Sequence, residues 1–130
     1  MTMKKVKILL VDDDVDFVES TRTVLESKLY EVVVAYDGNQ GLQKAREENP
    51  DLIILDIIMP MKDGFSAAEQ FKKDAELKKI PLIMLTSYST QHGNTAIPVG
   101  SGYSLEAEDY VEKPIEPDVL LTLVEKYVRK

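Results

Sequence analysis

The stretch Leu52-Ile53-Ile54-Leu55-Asp56-Ile57-Ile58-Met59-Pro60-Met61-Lys62-Asp63-Gly64 decides the fold. Four consecutive apolar residues, two of them β-branched, predict a strand buried on both faces, as in a parallel sheet. The run delivers one carboxylate, Asp56, to the strand's C-terminal end. In open α/β sheets that edge is where ligands bind. Pro60, Lys62, Asp63 and Gly64 supply turn chemistry that ends the strand and swings the chain away. A carboxylate so placed is a nucleophile, a metal ligand or merely a cap for the following loop.

The flanking sequence repeats the pattern. Residues 6–11 form a first strand that runs into Asp12-Asp13-Asp14. Asp14 is a natural N-cap for a helix over residues 15–29, with Phe17, Val18, Thr21, Val24, Leu25 and the stem of Lys28 as its inner stripe. Residues 31–35 form strand two. Asp37-Gly38 turns the chain into a polar helix that Asn49-Pro50 stops after Glu48. A third helix is expected over residues 66–77, with Ala67, Ala68, Phe71 and Ala75 as its contacts. Residues 81–85 form strand four, residues 109–111 a short strand five, and a last helix starts at Pro117. Strands alternating with helices predict an α/β fold. It is a doubly wound five-stranded parallel sheet, with the flavodoxin-like order 2-1-3-4-5 as one of the two common layouts.

Residues 89–108 break this rhythm, because Gly93, Pro98, Gly100 and Gly102 fall where a fourth helix belongs. A proline inside a helix costs about 3 kcal/mol and each glycine about 1 kcal/mol. A distorted or shortened helix, or an extended loop, is expected there.

Composition narrows the function. The 130 residues suit one domain, 1–130, and 44% hydrophobic with 30% charged residues is ordinary for a globular protein. A membrane span needs about 18 consecutive apolar residues, and none occurs. No secretory leader is recognised, and the absence of cysteine rules out disulfides and thiolate metal sites; a cytoplasmic protein is expected. A net charge of −7 argues against direct nucleic-acid binding and favours protein partners and hard cations.

In the predicted strand order, the ends of strands one, three, four and five lie side by side, about 4.8 Å apart. Asp12, Asp13, Asp56, Thr86 and Lys113 then converge on one edge. Three carboxylates there repel each other, each pair by about 3 kcal/mol at an effective dielectric near 20. The cluster must hold raised pKa values or recruit a divalent cation. Oxygen-only ligands point to Mg²⁺ or Mn²⁺. With Lys113 and the Thr86 hydroxyl opposite, the chemistry this assembly suits is phosphoryl transfer to or from a carboxylate.

The ordered set Val11-Asp12-Asp13-Asp14, Asp56 to Gly64, Leu85-Thr86-Ser87 and Asp109-Tyr110-Val111-Glu112-Lys113-Pro114 resembles a response-regulator receiver domain of two-component signalling. The resemblance covers essentially the whole chain. It implies that Asp56 is the phosphoacceptor and that Asp12, Asp13, Asp56 and the backbone carbonyl of Ile58 hold Mg²⁺. It further implies that Thr86 follows the phosphoryl group, that Tyr110 is the aromatic switch and that Lys113 pairs with the acyl phosphate. The bond to the residue matching Pro114 is cis in the family. A histidine kinase or phosphotransfer protein would be the donor, and a protein target the recipient of the signal. Such a domain catalyses its own phosphorylation and dephosphorylation without being a conventional enzyme. Two departures stand out: the interval from Thr86 to Lys113 is long, and Ser87 replaces the commoner alanine.

Other readings fare worse. Asp12, Asp14 and Asp16 imitate an EF-hand, but Phe17 stands where that loop needs glycine and Thr23 where it needs glutamate. A metal-dependent aspartyl phosphohydrolase of the haloacid-dehalogenase type would want a second aspartate where this chain has Ile58. A phosphorylation-independent protein-interaction scaffold would bind no beryllofluoride at Asp56. No Walker motif or dinucleotide fingerprint is present. His92, the single histidine, lies in the Gly/Pro-rich segment, so the donor histidine belongs to another protein.

Ile58 and Tyr88, two residues beyond Asp56 and Thr86, stand where the family tunes water access, and both are bulky. Phospho-Asp56 is therefore expected to lose its phosphate slowly. A half-life of only seconds in Mg²⁺, without a phosphatase, would contradict this.

Overall fold

The computed structural model describes residues 5–56, 64–86, 109–112 and 115–128. Five parallel strands form one sheet in the order β2-β1-β3-β4-β5: β1 (Lys7–Val11), β2 (Glu31–Ala35), β3 (Leu52–Asp56), β4 (Leu82–Thr86) and β5 (Asp109–Glu112). The expected layout is the one observed. Four helices, α1 (Val15–Glu26), α2 (Gly38–Glu48), α3 (Gly64–Lys73) and α4 (Pro117–Val128), cross between the described strands or follow them. The segment 89–108, with its expected distorted helix, lies outside the described residues.

Side chains alternate across the sheet and build two cores. Leu9, Val11, Ile53, Leu55, Leu82 and Met84 pack with Leu42 and Ala45 of α2 and Ala67, Ala68 and Phe71 of α3. Ile8, Leu10, Leu52, Ile54, Ile83 and Leu85 face the other way, against Val18 and Leu25 of α1 and Leu120 and Val124 of α4. Every residue of β3 is buried, which accounts for its unbroken apolar run. Each such side chain contributes about 1.5–3 kcal/mol relative to exposure, so the centre of the sheet is the stiffest part of the molecule. Gly41 lets α2 lie close to β1, since a Cβ there would meet Val11 Cγ2 at 3.0 Å.

Asp14 caps α1 as expected, and Asp37, read only as a turn residue, also caps its helix. Asp14 Oδ1 accepts from Phe17 N–H at 3.1 Å, and Asp37 Oδ1 from Gln40 N–H at 2.8 Å. Asn49, left-handed at φ 51°, ends α2 as expected.

Three helix ends differ from expectation, the first being α3, which starts at Gly64 rather than residue 66. α1 stops at Glu26 rather than residue 29. Leu29 takes φ 68°, its N–H donates to Glu26 O at 2.9 Å, and Tyr30 N–H donates to Leu25 O at 3.4 Å. This is a Schellman closure with leucine where glycine is usual, at a cost of about 1 kcal/mol. Lys28, beyond the helix end, is exposed and not part of the inner stripe. α3 ends at Lys73 rather than residue 77, and Ala75 is exposed rather than a core contact. The cause is Asp74, whose Oδ1 accepts from Glu76 N–H at 2.8 Å and Leu77 N–H at 3.0 Å, starting a separate 3-10 turn, Leu77–Lys79.

The N–H groups of Leu77 and Glu76, and then Arg46, hold the Asp74 carboxyl below the usual carboxylate range. A lowered folded-state pKa contributes stability that is present above the unfolded value, about 3.9, and is lost as pH falls through the folded value. Asp74→Ala should therefore melt below wild type at neutral pH. The gap should narrow on acidification to about pH 3, which circular-dichroism melts across that range will check.

Candidate metal and phosphoryl site

All five strands run the same way, so their C-terminal ends share one edge of the sheet. Val11 is level with Leu55, so Asp12 and Asp56 are the next residues along two adjacent strand paths. Asp56 is level with Leu85 of β4, and Thr86 ends that strand level with Glu112 of β5. The backbone positions of Asp12, Asp56 and Thr86 thus share one edge, while Lys113 lies outside the described residues.

Asp12, Asp13 and Asp56 each offer a carboxylate oxygen, and the three atoms lie within 4.8 Å of one another. Asp12 is fully buried and Asp56 is 2% exposed, while Asp13 faces solvent. Two carboxyl groups are thus held in a buried wall with a third at its mouth. Isolated buried carboxylates cost several kcal/mol to desolvate, and their mutual repulsion adds to that. The donor set is all oxygen, compact and open on one side, so it fits a hard divalent cation that keeps some of its water. Such an ion would be held by Asp12, Asp13 and Asp56.

Local structure explains how the acids are aimed. Asp12 N–H donates to Ala35 O at 3.0 Å, which continues the β1–β2 ladder by one residue. Its own Oδ1 accepts from Asp14 N–H at 2.9 Å. This Asx turn was not foreseen, although an Asp two residues before a helix cap is a pattern able to form one. Asp56 is fixed by being the last residue of a wholly buried strand.

The remaining predicted site residues are only partly described. Thr86 closes β4, and Tyr110 lies in β5 level with Met84. The roles expected of their side chains fall outside what the structure describes. Ile58, Tyr88, Lys113 and Pro114 lie outside the described residues. Among the described residues, no helix is long and apolar enough to cross a membrane.

Comparison with known proteins gives a consistent family. A model described as "Response regulator receiver domain" matches residues 8–125. PilH of Pseudomonas aeruginosa is 34% identical over 118 residues, which cover 91% of this chain and 93% of PilH. The alkaline phosphatase synthesis transcriptional regulatory protein PhoP of Bacillus subtilis is 34% identical over 124 residues, 95% of this chain and 49% of PhoP. The chain spans about half the length of several curated relatives it matches. The crystal structure of the response regulator TrrA of Thermotoga maritima, in complex with Mg²⁺-BeF, is 33% identical. It aligns with a TM-score of 0.78 over 94% of this chain and 98% of TrrA.

The carboxylate cluster makes a prediction of opposite signs. Without divalent cations, Asp13→Asn should melt above wild type, because one of three mutually repelling charges is gone. With Mg²⁺ at about a hundred times its dissociation constant, wild type should gain about 2.7 kcal/mol and overtake the variant. Paired thermal melts with and without Mg²⁺ will check the reversal.

Proposed function

The chain belongs to the response regulator receiver family, and from that premise we propose that Asp56 accepts a phosphoryl group from a partner's phosphohistidine. The donor would be a histidine kinase or a phosphotransfer protein, the kind of partner that receivers have in two-component systems. What carries this reading is the gathering of Asp12, Asp13 and Asp56 at the C-terminal edge of the sheet, with their carboxylate oxygens within 4.8 Å of one another.

In the transfer, a carboxylate oxygen of Asp56 attacks phosphorus while the bond between phosphorus and the donor imidazole nitrogen breaks. With the other ring nitrogen of the donor already protonated, the P–N bonding pair stays on the ring and neutral imidazole departs, while Asp56 becomes an acyl phosphate. Asp56 is positioned for this by the rigid strand behind it, so little orientational entropy is lost at the reacting centre. Mg²⁺, or Mn²⁺ in its place, would neutralise charge on the phosphoryl oxygens and would be held by Asp12, Asp13, Asp56 and the Ile58 carbonyl. The Mg²⁺-BeF complex of TrrA supports a divalent ion in this role. Lys113 pairs with a phosphoryl oxygen, and the Thr86 hydroxyl binds another.

Phosphorylation adds about −1.5 to −2 charge at the end of β3. The response is a population shift in which Thr86 and Tyr110 move together and remodel the protein-binding face on the β4–β5 side. The signal passes to a protein target. The phosphoryl cycle is the domain's own catalysis, with the donor supplied by another protein.

Incubation with a panel of phosphorylated histidine kinases tests the reading. Wild type should acquire a hydroxylamine-labile phosphate from at least one of them, and Asp56→Asn should acquire essentially none. Equal labelling of both proteins, or labelling of neither by kinases or by small acyl-phosphate donors, would overturn it.

A further inference from the structure

We propose that Asp14 is a positioning residue for the divalent-cation site, acting through Asp12. The inference rests on the metal-binding reading above and goes beyond it. Asp14 has the conformation of a helix cap, with φ −87° and ψ 102°, and its own side chain is exposed. Yet it is clamped on three sides. Its Oδ1 accepts from Phe17 N–H at 3.1 Å, its backbone O accepts from Val18 N–H at 2.9 Å, and its N–H donates to Asp12 Oδ1 at 2.9 Å.

Asp12 is held at its other end by the sheet, through its N–H on Ala35 O at 3.0 Å. The three-residue connection from β1 to α1 is therefore tied to the sheet at one end and to the first turn of α1 at the other. Asp13 is the residue between the two ties. A carboxylate that accepts an N–H from two residues ahead cannot rotate freely, so the Asx turn sets the Asp12 side chain in place before any ion arrives. That turn depends on where the Asp14 N–H points, which the Asp14 cap on Phe17 determines.

Removing the acceptor at position 14 orphans the Phe17 N–H and lets the first turn of α1 fray. The Asp14 N–H then swings, and Asp12 and Asp13 must be ordered again when the cation binds. Groups that orient metal ligands cost about 10- to 100-fold in affinity when removed. The coupling is reciprocal, so bound cation should in turn hold the first turn of α1 closed.

Charge and cap separate cleanly at this position. Asp14→Asn removes the charge and keeps an acceptor that caps as well as aspartate. Asp14→Ala removes both. Asp14→Gly likewise lacks the side-chain acceptor for Phe17 N–H, and it serves as the second variant if the alanine one fails to fold. Mg²⁺ dissociation constants are measured by calorimetry on the full chain, with amide hydrogen exchange at Phe17 and Val18 followed with and without Mg²⁺.

Asp14→Asn should bind Mg²⁺ within about threefold of wild type, the effect of one screened charge. Asp14→Ala and Asp14→Gly should bind about tenfold more weakly. Mg²⁺ should slow exchange at Phe17 and Val18 in wild type and Asp14→Asn, and much less in the two variants without a cap. Equal affinity in all four proteins, or equal weakening by Asn and Ala, would overturn the proposal. Failure of wild type itself to bind Mg²⁺ would overturn the receiver chemistry proposed above, and this inference with it.

Discussion

Electrostatic repulsion among three carboxylates, two of them buried, is the constraint on which the rest of the molecule depends. Asp12 and Asp56 sit at the end of a sheet whose interior is otherwise aliphatic, and Asp13 stands beside them at the surface. Nothing in the folding of a small α/β domain requires acids there. They are tolerated because the two cores, built on alternate residues of β1, β3 and β4, contribute far more than the acids cost. A cluster of acids so placed would be stabilised by whatever brings positive charge to it.

The architecture turns that repulsion into a device. Parallel strands bring all their C-terminal ends to one edge, so residues far apart in the chain become neighbours without a dedicated loop. Asp56 gains its rigidity from β3, buried on both faces. Asp12 and Asp13 gain theirs from the short connection between β1 and α1, which hydrogen bonds hold to Ala35 and to Asp14. The acids are thus fixed from two sides, by packing and by backbone hydrogen bonds. A cation held by the proposed site would meet the Asp12 and Asp56 carboxylates already oriented, so that part of the ordering entropy would be lost in folding rather than in binding.

Where the sequence was legible, the reason is that local chemistry and global fold agree. The apolar run before Asp56 reads as a central strand because only a strand covered on both faces keeps such a run out of water. Asp14 reads as a cap because a short acidic side chain ahead of a helix has one good use. The helix ends were missed for the complementary reason. Leu29 adopts a left-handed backbone that its side chain disfavours, and the bonds from its own N–H to Glu26 O and from Tyr30 N–H to Leu25 O compensate. Asp74 ends α3 with bonds to Glu76 and Leu77, although its neighbours would have continued the helix. In both places a local hydrogen-bonded closure outweighed helix propensity.

The amino-acid sequence by itself determined the order of the described strands and helices along the chain and the three acids, because periodicity and composition act over a few residues at a time. Tertiary structure alone decided how close those acids come and how deeply each is buried. It also decided that the first of them is tied to the cap of the following helix. Distances across a sheet and access to water are properties of packed elements, and no local pattern contains them.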